Sequence, residues 1–293
     1  MSEWYRVAAI YAALVAAFAA SHMLNYVYLS YETARALAYA LGIFPALILL
    51  RYGLVNFGVA LYYGAGAYAA AMLYRLYGVR DLALLLAAAA AASGALGLAV
   101  GALTARFRGV YYALFNLALS VAFYGLVLKL YYVTGGSDGA PMPSAGLSAL
   151  FAALAAASAA ASAFGYLFDK SPLGRIAEGV RLRELRVVAL GVRPERHIAF
   201  ATAVSAAFAG LGGAAQGFMD LRVFPEYFYW TTSTLFVVGA IAGLALPTSL
   251  GFLAGGLAIV AILVTASFTT YPELLMGALL MALMVLLARL WRS

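Results

Sequence analysis

Residues 82–104 read LALLLAAAAAASGALGLAVGALT, and this stretch decides the class of fold. None of its side chains is charged, and about 20 consecutive apolar residues are enough for an α-helix to cross a bilayer. Similar apolar stretches, separated by charges, Pro or Gly, recur along the 293-residue chain. They predict an all-α, polytopic membrane protein with about eight to ten transmembrane helices, and they leave room for re-entrant segments.

The composition excludes several classes of protein. Hydrophobic residues make up 66% of the chain and charged residues 10%, with a mean hydropathy of +0.97, against about 45–50% and 25% in ordinary globular proteins. A chain without cysteine forms no disulfide, iron–sulfur cluster or thiolate zinc site. Two histidines, His22 and His197, are too few for a His-rich metal site. The net charge of +7 fits cytoplasmic loops of a membrane protein better than nucleic-acid binding.

The breaks between apolar stretches give the predicted spans. These lie near residues 7–29, 35–50, 60–78, 82–104, 109–132, 147–168, 197–219, 232–246, 249–268 and 272–290. The second span is short and is followed by RYGLVNFG at 51–58, where Gly53, Asn56 and Gly58 predict broken or re-entrant backbone. Such backbone is tolerated at membrane depth only where it faces protein or a wet cavity.

The distribution of Lys and Arg predicts the orientation. If residues 169–197 are cytoplasmic and the loops alternate from there, 13 of the 18 basic and 5 of the 11 acidic residues lie inside. The net charge is then +8 inside and −1 outside, and the excess of positive charge selects this topology. We therefore expect a multi-pass protein of the plasma membrane with both termini in the cytoplasm.

The predicted cytoplasmic loop at 169–197 has the pattern of a folded segment. Ser171 and Pro172 form a good helix start, a capping hydroxyl followed by Pro at the first helical position. A second short helix through 184–190 is expected to stop at Gly191. The loop is therefore predicted to lie on anionic lipid headgroups or to dock a cytoplasmic protein. The first helix presents one apolar stripe, formed by Leu173, Ile176, Ala177 and Val180.

Motifs for enzyme chemistry are nearly absent. The chain has neither a GxxxxGK[ST] phosphate-binding loop nor an HExxH zinc motif. Residues 135–139, GGSDG, fit the G-x-S-x-G pattern of hydrolases, and on the predicted topology only His22 could serve Ser137 as a base. A plain external turn is the simpler interpretation, and an intramembrane hydrolase is the alternative.

The predicted spans carry amides but no central carboxylate. Asn56, Asn116 and Gln216 are the mid-span polar residues, and they serve either interhelical hydrogen bonds or substrate contacts. A carboxylate at the bilayer centre is the usual device of an ion-driven carrier. Its absence from the predicted spans disfavours a stand-alone secondary transporter and indicates that the energy for transport comes from elsewhere.

Four stretches in a fixed order resemble a known family. They are GLVNFG (53–58) with GAGAY (64–68), RGVYYAL (108–114) with TGGSDG (134–139), SPLGR (171–175) with ALG (189–191), and AF (199–200) with SA (205–206) and AGLGG (209–213). Together they resemble the LivM-type permease subunit of branched-chain amino acid ABC importers. The family's C-terminal pattern appears only loosely, as AGLALPTSLG at 242–251. Urea and short-chain amide permeases share the same pattern and remain alternatives.

The resemblance implies a single permease domain over residues 1–293 that has no catalytic, metal or cofactor site of its own. It implies a heterodimer with a related second permease, two cytoplasmic ATP-binding subunits that hold ATP and Mg²⁺, an extracytoplasmic substrate-binding protein, and no nucleic acid. The loop at 169–197 would be the coupling loop, with Arg175, Glu178, Arg181 and Glu184 at the ATPase contact. The expected pathway residues are Asn56, Gly58, Asn116 and Gln216, and the expected binding-protein face contains Ser137 and Asp138.

Overall fold

Eleven α-helices and two short strands form the part of the chain that the computed structural model describes, residues 2–24, 26–267, 277, 278 and 281. Strand β1 (Ala140–Pro141) pairs antiparallel with β2 (Arg222–Val223). Single turns of 3-10 helix cover Gly136–Asp138 and Pro225–Phe228. The helices are α1 (Ser2–Met23), α2 (Val27–Arg51), α3 (Val59–Tyr77), α4 (Leu82–Thr104), α5 (Gly109–Lys129), α6 (Tyr131–Thr134), α7 (Leu147–Lys170), α8 (Pro172–Ala189), α9 (Pro194–Asp220), α10 (Trp230–Gly243) and α11 (Thr248–Ser267).

Within these described ranges, seven helices are long and apolar enough to cross a membrane: α1, α2, α4, α5, α7, α9 and α11. Helix α4 begins where the Asp81 carboxylate accepts a hydrogen bond from the Leu84 N–H (2.8 Å), which satisfies one of the free donors of its first turn. Helix α3 ends at Gly78, which adopts the left-handed conformation (φ 67°) that glycine accepts without strain. The prediction of an all-α, polytopic membrane fold is confirmed.

The predicted boundary between the first two spans is wrong. Helix α1 ends at Met23 and α2 already begins at Val27, so the segment assigned to the end of the first span and the loop after it belongs to α2. The sequence marks this boundary weakly, because residues 24–26 contain no charge, Pro or Gly. The hydroxyls of Ser21 and Ser30 bond to each other across the turn (2.8 Å).

Most of the other predicted spans agree with the helices to within a few residues. The span at 109–132 is divided, since α5 ends at Lys129 and α6 follows as one separate turn. The span at 232–246 corresponds to α10, which has only 14 residues. The span at 272–290 lies outside the described residues except for 277, 278 and 281, and the C-terminus with its predicted orientation lies outside them altogether.

The loops meet in two groups at opposite ends of the bundle. At one end, called here the α8 end, the Thr248 hydroxyl bonds to Asp169 (2.7 Å) and accepts from Arg51 (3.1 Å), which joins the ends of α7, α11 and α2. At the other, the Asp220 end, the Tyr31 hydroxyl donates to Asp220 (2.5 Å) and so joins the start of α2 to the end of α9. At each end, the hydrogen-bonded residues belong to loops or helix ends that the distribution of Lys and Arg assigns to the same side of the membrane. Which end faces the cytoplasm remains a prediction.

Two sets of three helices repeat the same arrangement in opposite directions. Helix α2 runs towards the α8 end and is followed by a break, a helix that starts inside the bundle (α3) and a full-length helix (α4). Helix α9 runs towards the Asp220 end and is followed in the same order by a break, α10 and α11. Helices α2 and α9 pack at the centre, with α4 against α9 and α11 against α2. The chain therefore contains an inverted repeat that its sequence does not reveal.

Helix α8 has the form predicted for the long loop. Ser171 caps it by accepting a hydrogen bond from the Leu173 N–H (3.2 Å), with Pro172 at the first position. The backbone of Arg183 is extended (φ −158°, ψ 91°), which divides the helix into two arms. Ala177 and Val180 of the predicted apolar stripe are buried. The prediction of two short amphipathic helices is confirmed.

Candidate functional site

Two interruptions of helical backbone meet inside the bundle. One covers residues 52–58 and leads into α3, and the other covers residues 221–229 and leads into α10. The backbone N–H of Ala60, in the first turn of α3, donates to the hydroxyl of Ser233 in the first turn of α10 (3.0 Å). The two helices therefore begin in direct contact with each other.

The meeting point lies near the middle of the neighbouring helices. Ser93, halfway along α4, donates to the carbonyl oxygen of Tyr62 (2.8 Å). Ser120, halfway along α5, donates to the carbonyl oxygen of Phe228 (2.7 Å). Helices α3 and α10 thus start about halfway through the bundle, and their first N–H groups and positive dipole ends lie inside it. Discontinuous helices of this kind form substrate sites in many transporters.

Three of the predicted pathway residues come together beside this point. Asn56 and Asn116 are buried, and the backbone N–H of Gly58 donates to the Asn56 side-chain oxygen (2.7 Å). A Cβ on Gly58 would lie 2.5 Å from the carbonyl oxygen of Asn116, so only glycine fits between the break and α5. The prediction of broken backbone is confirmed for residues 52–58, and α2, which contains Pro45, continues through Arg51.

Polar groups around Asn56 retain unused hydrogen-bonding capacity. The Asn56 amide nitrogen and the hydroxyls of Tyr62 and Tyr112 are buried and make no hydrogen bond of normal length among the described residues. They have only weak, longer contacts, Tyr62 with Asn56 and Tyr112 with Thr104 and Thr202. An open apolar groove of about 500 Å³ lies beside them, between the break at 52–58 and the first half of α5. Val55 and Phe57, on either side of Asn56, form one wall of this groove. The arrangement offers neutral donors next to an apolar surface.

Gln216 lies elsewhere, at the Asp220 end. Its side-chain nitrogen donates to both carboxylate oxygens of Asp220, one turn further along α9 (3.0 and 2.9 Å). The structure therefore separates Gln216 from Asn56, Gly58 and Asn116.

Sequence reasoning missed the cluster to which Gln216 belongs. The Asp220 carboxylate also accepts hydrogen bonds from the hydroxyls of Tyr31 (2.5 Å) and Tyr227 (2.6 Å), so it links α2, α9 and the segment before α10. Glu32 and Arg35 form an ion pair beside it (2.9 Å). The sequence prediction places Glu32 in the loop before the second span and Arg35 at the first residue of that span, whereas both lie in the first three turns of α2. The signal was the Glu–x–x–Arg spacing, which puts both side chains on one face of a helix.

The Gly/Ser/Asp turn lies at the Asp220 end, as expected. Ser137 and Asp138 are exposed in the 3-10 turn, and Arg222 donates to the carbonyl oxygen of Asp138 (2.8 Å). His22, the base of the hydrolase alternative, stacks on Phe18 in α1. Helix α1 packs against α2 and contacts α7, whereas the turn of Ser137 packs against α5 and α6. The structure thus gives Ser137 and His22 different neighbours.

The predicted coupling residues are distributed along α8. Arg175, Glu178 and Arg181 are exposed at the α8 end. Glu184 instead forms a two-point ion pair with Arg108 at the start of α5, with Nε–Oε2 at 2.7 Å and Nη2–Oε1 at 2.5 Å. Glu184 therefore fixes the second arm of α8 to the bundle and leaves the other three side chains free to meet a partner.

The two arms of α8 enclose a groove of about 410 Å³. Its floor is apolar and includes Ile176 and Val187, and arginines line its sides. Large apolar side chains stand exposed next to it, since Leu185 and Leu190 expose 85% and 83% of their surface. An apolar floor with a basic rim is the surface expected for contact with an acidic-rimmed partner. The arginines of the groove are Arg175, Arg183 and Arg186.

Comparisons with known proteins match the chain to a transport family. Residues 28–288 match a family described as "Branched-chain amino acid transport system / permease component". The chain is 28% identical to the "High-affinity branched-chain amino acid transport system permease protein LivM" of Escherichia coli (strain K12), and equally identical to the protein of the same description from Salmonella typhimurium (strain LT2). Each alignment covers 80% of this chain and 62% of the relative, so the chain spans less than two thirds of their length. No solved structure matches.

Proposed function

Because the chain belongs to the branched-chain amino acid transport system / permease component family, we propose that it is a membrane-spanning subunit of an ATP-driven importer of branched-chain amino acids. It forms part of the translocation pathway and has no catalytic or metal site of its own. A related permease completes the pathway as a heterodimer. Two cytoplasmic subunits bind ATP and Mg²⁺, and an external binding protein delivers the substrate.

The contact between the first turns of α3 and α10 carries this proposal. It brings two helix N-termini and the buried amides of Asn56 and Asn116 to the centre of the bundle. Backbone and amide groups bind a polar solute weakly, and a conduit needs weak binding because it must also release. The inverted repeat supplies two units that can rock against each other around this point, as in other transporters with such repeats.

Helix α8 is the proposed site of coupling to the ATPases. Its exposed leucines and the groove between its arms offer an apolar, basic surface outside the bundle. A partner with an acidic rim and an apolar projection would fit it, and movement of that partner would reach α5 through the Glu184–Arg108 ion pair. Ser137 and Asp138, at the opposite end, lie on the face proposed for the binding protein.

Co-purification from the native host tests the proposal. We expect the tagged chain, extracted in mild detergent, to bring down a P-loop ATPase, and we expect Arg175→Glu or Arg181→Glu to reduce the recovery at least about tenfold by reversing charge on the docking surface. The matched control is Arg80→Glu, the same change at an exposed position of the opposite end. Equal loss of the ATPase from the control would contradict docking at α8.

Transport assays separate the alternatives. ATP-dependent uptake of leucine is the expected result, whereas uptake of urea or short-chain amides in its place would identify the related substrate class.

One observation favours a secondary transporter as second candidate: Glu32 is a buried carboxylate within α2. It lies only about 8 Å from the start of the helix, however, and not at its centre. Uptake that continues without ATP but collapses with the ion gradient would replace the importer with this candidate.

A further inference from the structure

The cluster around Asp220 contains buried polar atoms that nothing within the described ranges satisfies. Glu32 Oε2 and Gln216 Oε1 are acceptors without a donor, and Arg35 Nε and the Tyr63 hydroxyl have no hydrogen-bond partner. Glu32, Tyr63 and Gln216 are each more than nine-tenths buried. Buried polar groups in proteins are almost always paired, so a group of unpaired ones requires a reason.

Two of these unpaired atoms belong to groups of opposite charge. Glu32 supplies a carboxylate oxygen and Arg35 a guanidinium N–H, and their mutual ion pair uses only Oε1 and Nη1. Asp220 adds a second carboxylate, and its hydrogen-bond partners among the described residues are the neutral donors of Tyr31, Tyr227 and Gln216. A cationic donor would compete well with them for this carboxylate, because it adds Coulomb attraction between opposite charges that a neutral donor lacks.

Aromatic rings form the side of the cluster that leads into the bundle. Tyr63 lies 5.0 Å from Phe236 and 5.7 Å from Tyr227, and Tyr39 lies 5.8 Å from Phe236, measured between ring centroids. The Arg35 guanidinium stands 5.6 Å from the Tyr39 ring, which connects the charged and aromatic parts. These rings extend from the Asp220 end to the first turns of α3 and α10, where the helix breaks meet.

We propose that this cluster is a binding site for the zwitterionic head of an α-amino acid on its way from the Asp220 end to the centre of the bundle. The ligand's ammonium group binds to Glu32 Oε2 and Asp220 in place of the tyrosine hydroxyls. Its carboxylate binds to Arg35, and its apolar side chain lies against Tyr39 and Phe236. The choice of leucine as the ligand rests on the proposed function. The requirement that the ligand carry both an ammonium group and a carboxylate rests on the cluster itself.

Binding of radiolabelled L-leucine to the chain, purified with its partner permease in lipid nanodiscs, tests this site without the external binding protein. Two competitors each lack one charge: 4-methylpentanoate has no ammonium group and 3-methylbutylamine has no carboxylate. We expect leucine to compete at least about tenfold better than either, because each lost charge-assisted contact costs at least that factor. Equal competition by the three compounds would overturn the proposal.

Variants assign the two ends of the ligand. Arg35→Gln is expected to weaken leucine binding at least about tenfold and to remove its advantage over the amine, whereas Glu32→Gln removes its advantage over the acid. Arg75→Gln and Glu226→Gln make the same changes at the same end outside the cluster, and they should leave leucine binding unchanged. Arg35→Lys and Glu32→Asp keep the charges, so their partial binding would separate a lost contact from a misfolded protein.

Two results would count against the site while leaving the importer intact. The first is leucine binding that survives both Arg35→Gln and Glu32→Gln. The second is the absence of leucine binding to the wild-type chain when ATP-dependent leucine uptake in the host still requires this chain. Either result would exclude binding at this cluster. Failure of the proposed function looks different, because leucine uptake in the host would then not depend on this chain at all.

Discussion

At the scale of single residues, Gly58 and its contact with α5 determine how closely the first helix break fits into the bundle. We expect Gly58→Ala to destabilise the protein by about 1–3 kcal/mol, the usual cost of adding a methyl group to a packed site, because the new Cβ would lie 2.5 Å from a backbone oxygen of Asn116. The thermal midpoint of the purified protein in detergent measures this change, and leucine uptake should fall with it.

Gly125→Ala is the matched control for that substitution. Gly125 lies in α5 as well, but no atom lies within 4 Å of its Cβ position and its φ is not in the left-handed region. Alanine is favoured over glycine in a helix by about 0.5–1 kcal/mol, so the control should be neutral or slightly stabilising. Equal destabilisation by both substitutions would show that Gly58 has no special role.

At the scale of elements, the Arg108–Glu184 ion pair determines the position of the second arm of α8. Both side chains are 30% exposed, so we expect Arg108→Gln to cost at most about 1 kcal/mol of stability. The arm itself should loosen, and tryptic cleavage at Arg186 should rise several-fold in the purified protein. Arg106→Gln, two residues away, is the control. Unchanged cleavage in Arg108→Gln would mean that other contacts hold the arm.

Most of the long helices could be predicted from the sequence because their apolar runs end at a charge, Pro or Gly. The boundary between α1 and α2 could not, because Asn25 is a single amide and no charge, Pro or Gly accompanies it. That error placed Glu32 in a loop and Arg35 at the edge of a span, and it hid the cluster around Asp220. The hydrogen bond from Tyr31 to Asp220 joins residues 189 positions apart, and no local pattern predicts such a contact.

The first helix break of the candidate site could be predicted from the sequence, and the second could not. The Gly and Asn residues of 53–58 marked the first helix break, because glycine and amides interrupt apolar runs visibly. The second break, at 221–229, contains large apolar and aromatic side chains and resembled an ordinary loop between spans. Long-range contacts such as the hydrogen bond between Ala60 and Ser233 show that the two breaks lie together, and no local sequence pattern predicts them.

At the scale of the whole molecule, the two ends can be tested directly because the chain has no cysteine. We expect Ser137→Cys to react with a membrane-impermeant maleimide in intact cells, and Leu185→Cys to react only after permeabilisation, because the two exposed positions lie at opposite ends. Ala89→Cys, at a fully buried position in α4, should stay unlabelled. The reverse pattern for the first two would invert the predicted orientation.

The late start of α10 has a consequence for how the protein is made. With 14 residues the helix is about 21 Å long, which is too short to cross a hydrocarbon layer of about 30 Å. The segment before it carries backbone that lipid cannot satisfy, and the Ser120 hydroxyl of α5 satisfies part of it. Helices α3 and α5 leave the ribosome earlier, so α10 enters the membrane against a surface that already exists. We therefore expect α10 to reach its place in the membrane only after α3 and α5, which precede it in the chain, are in position.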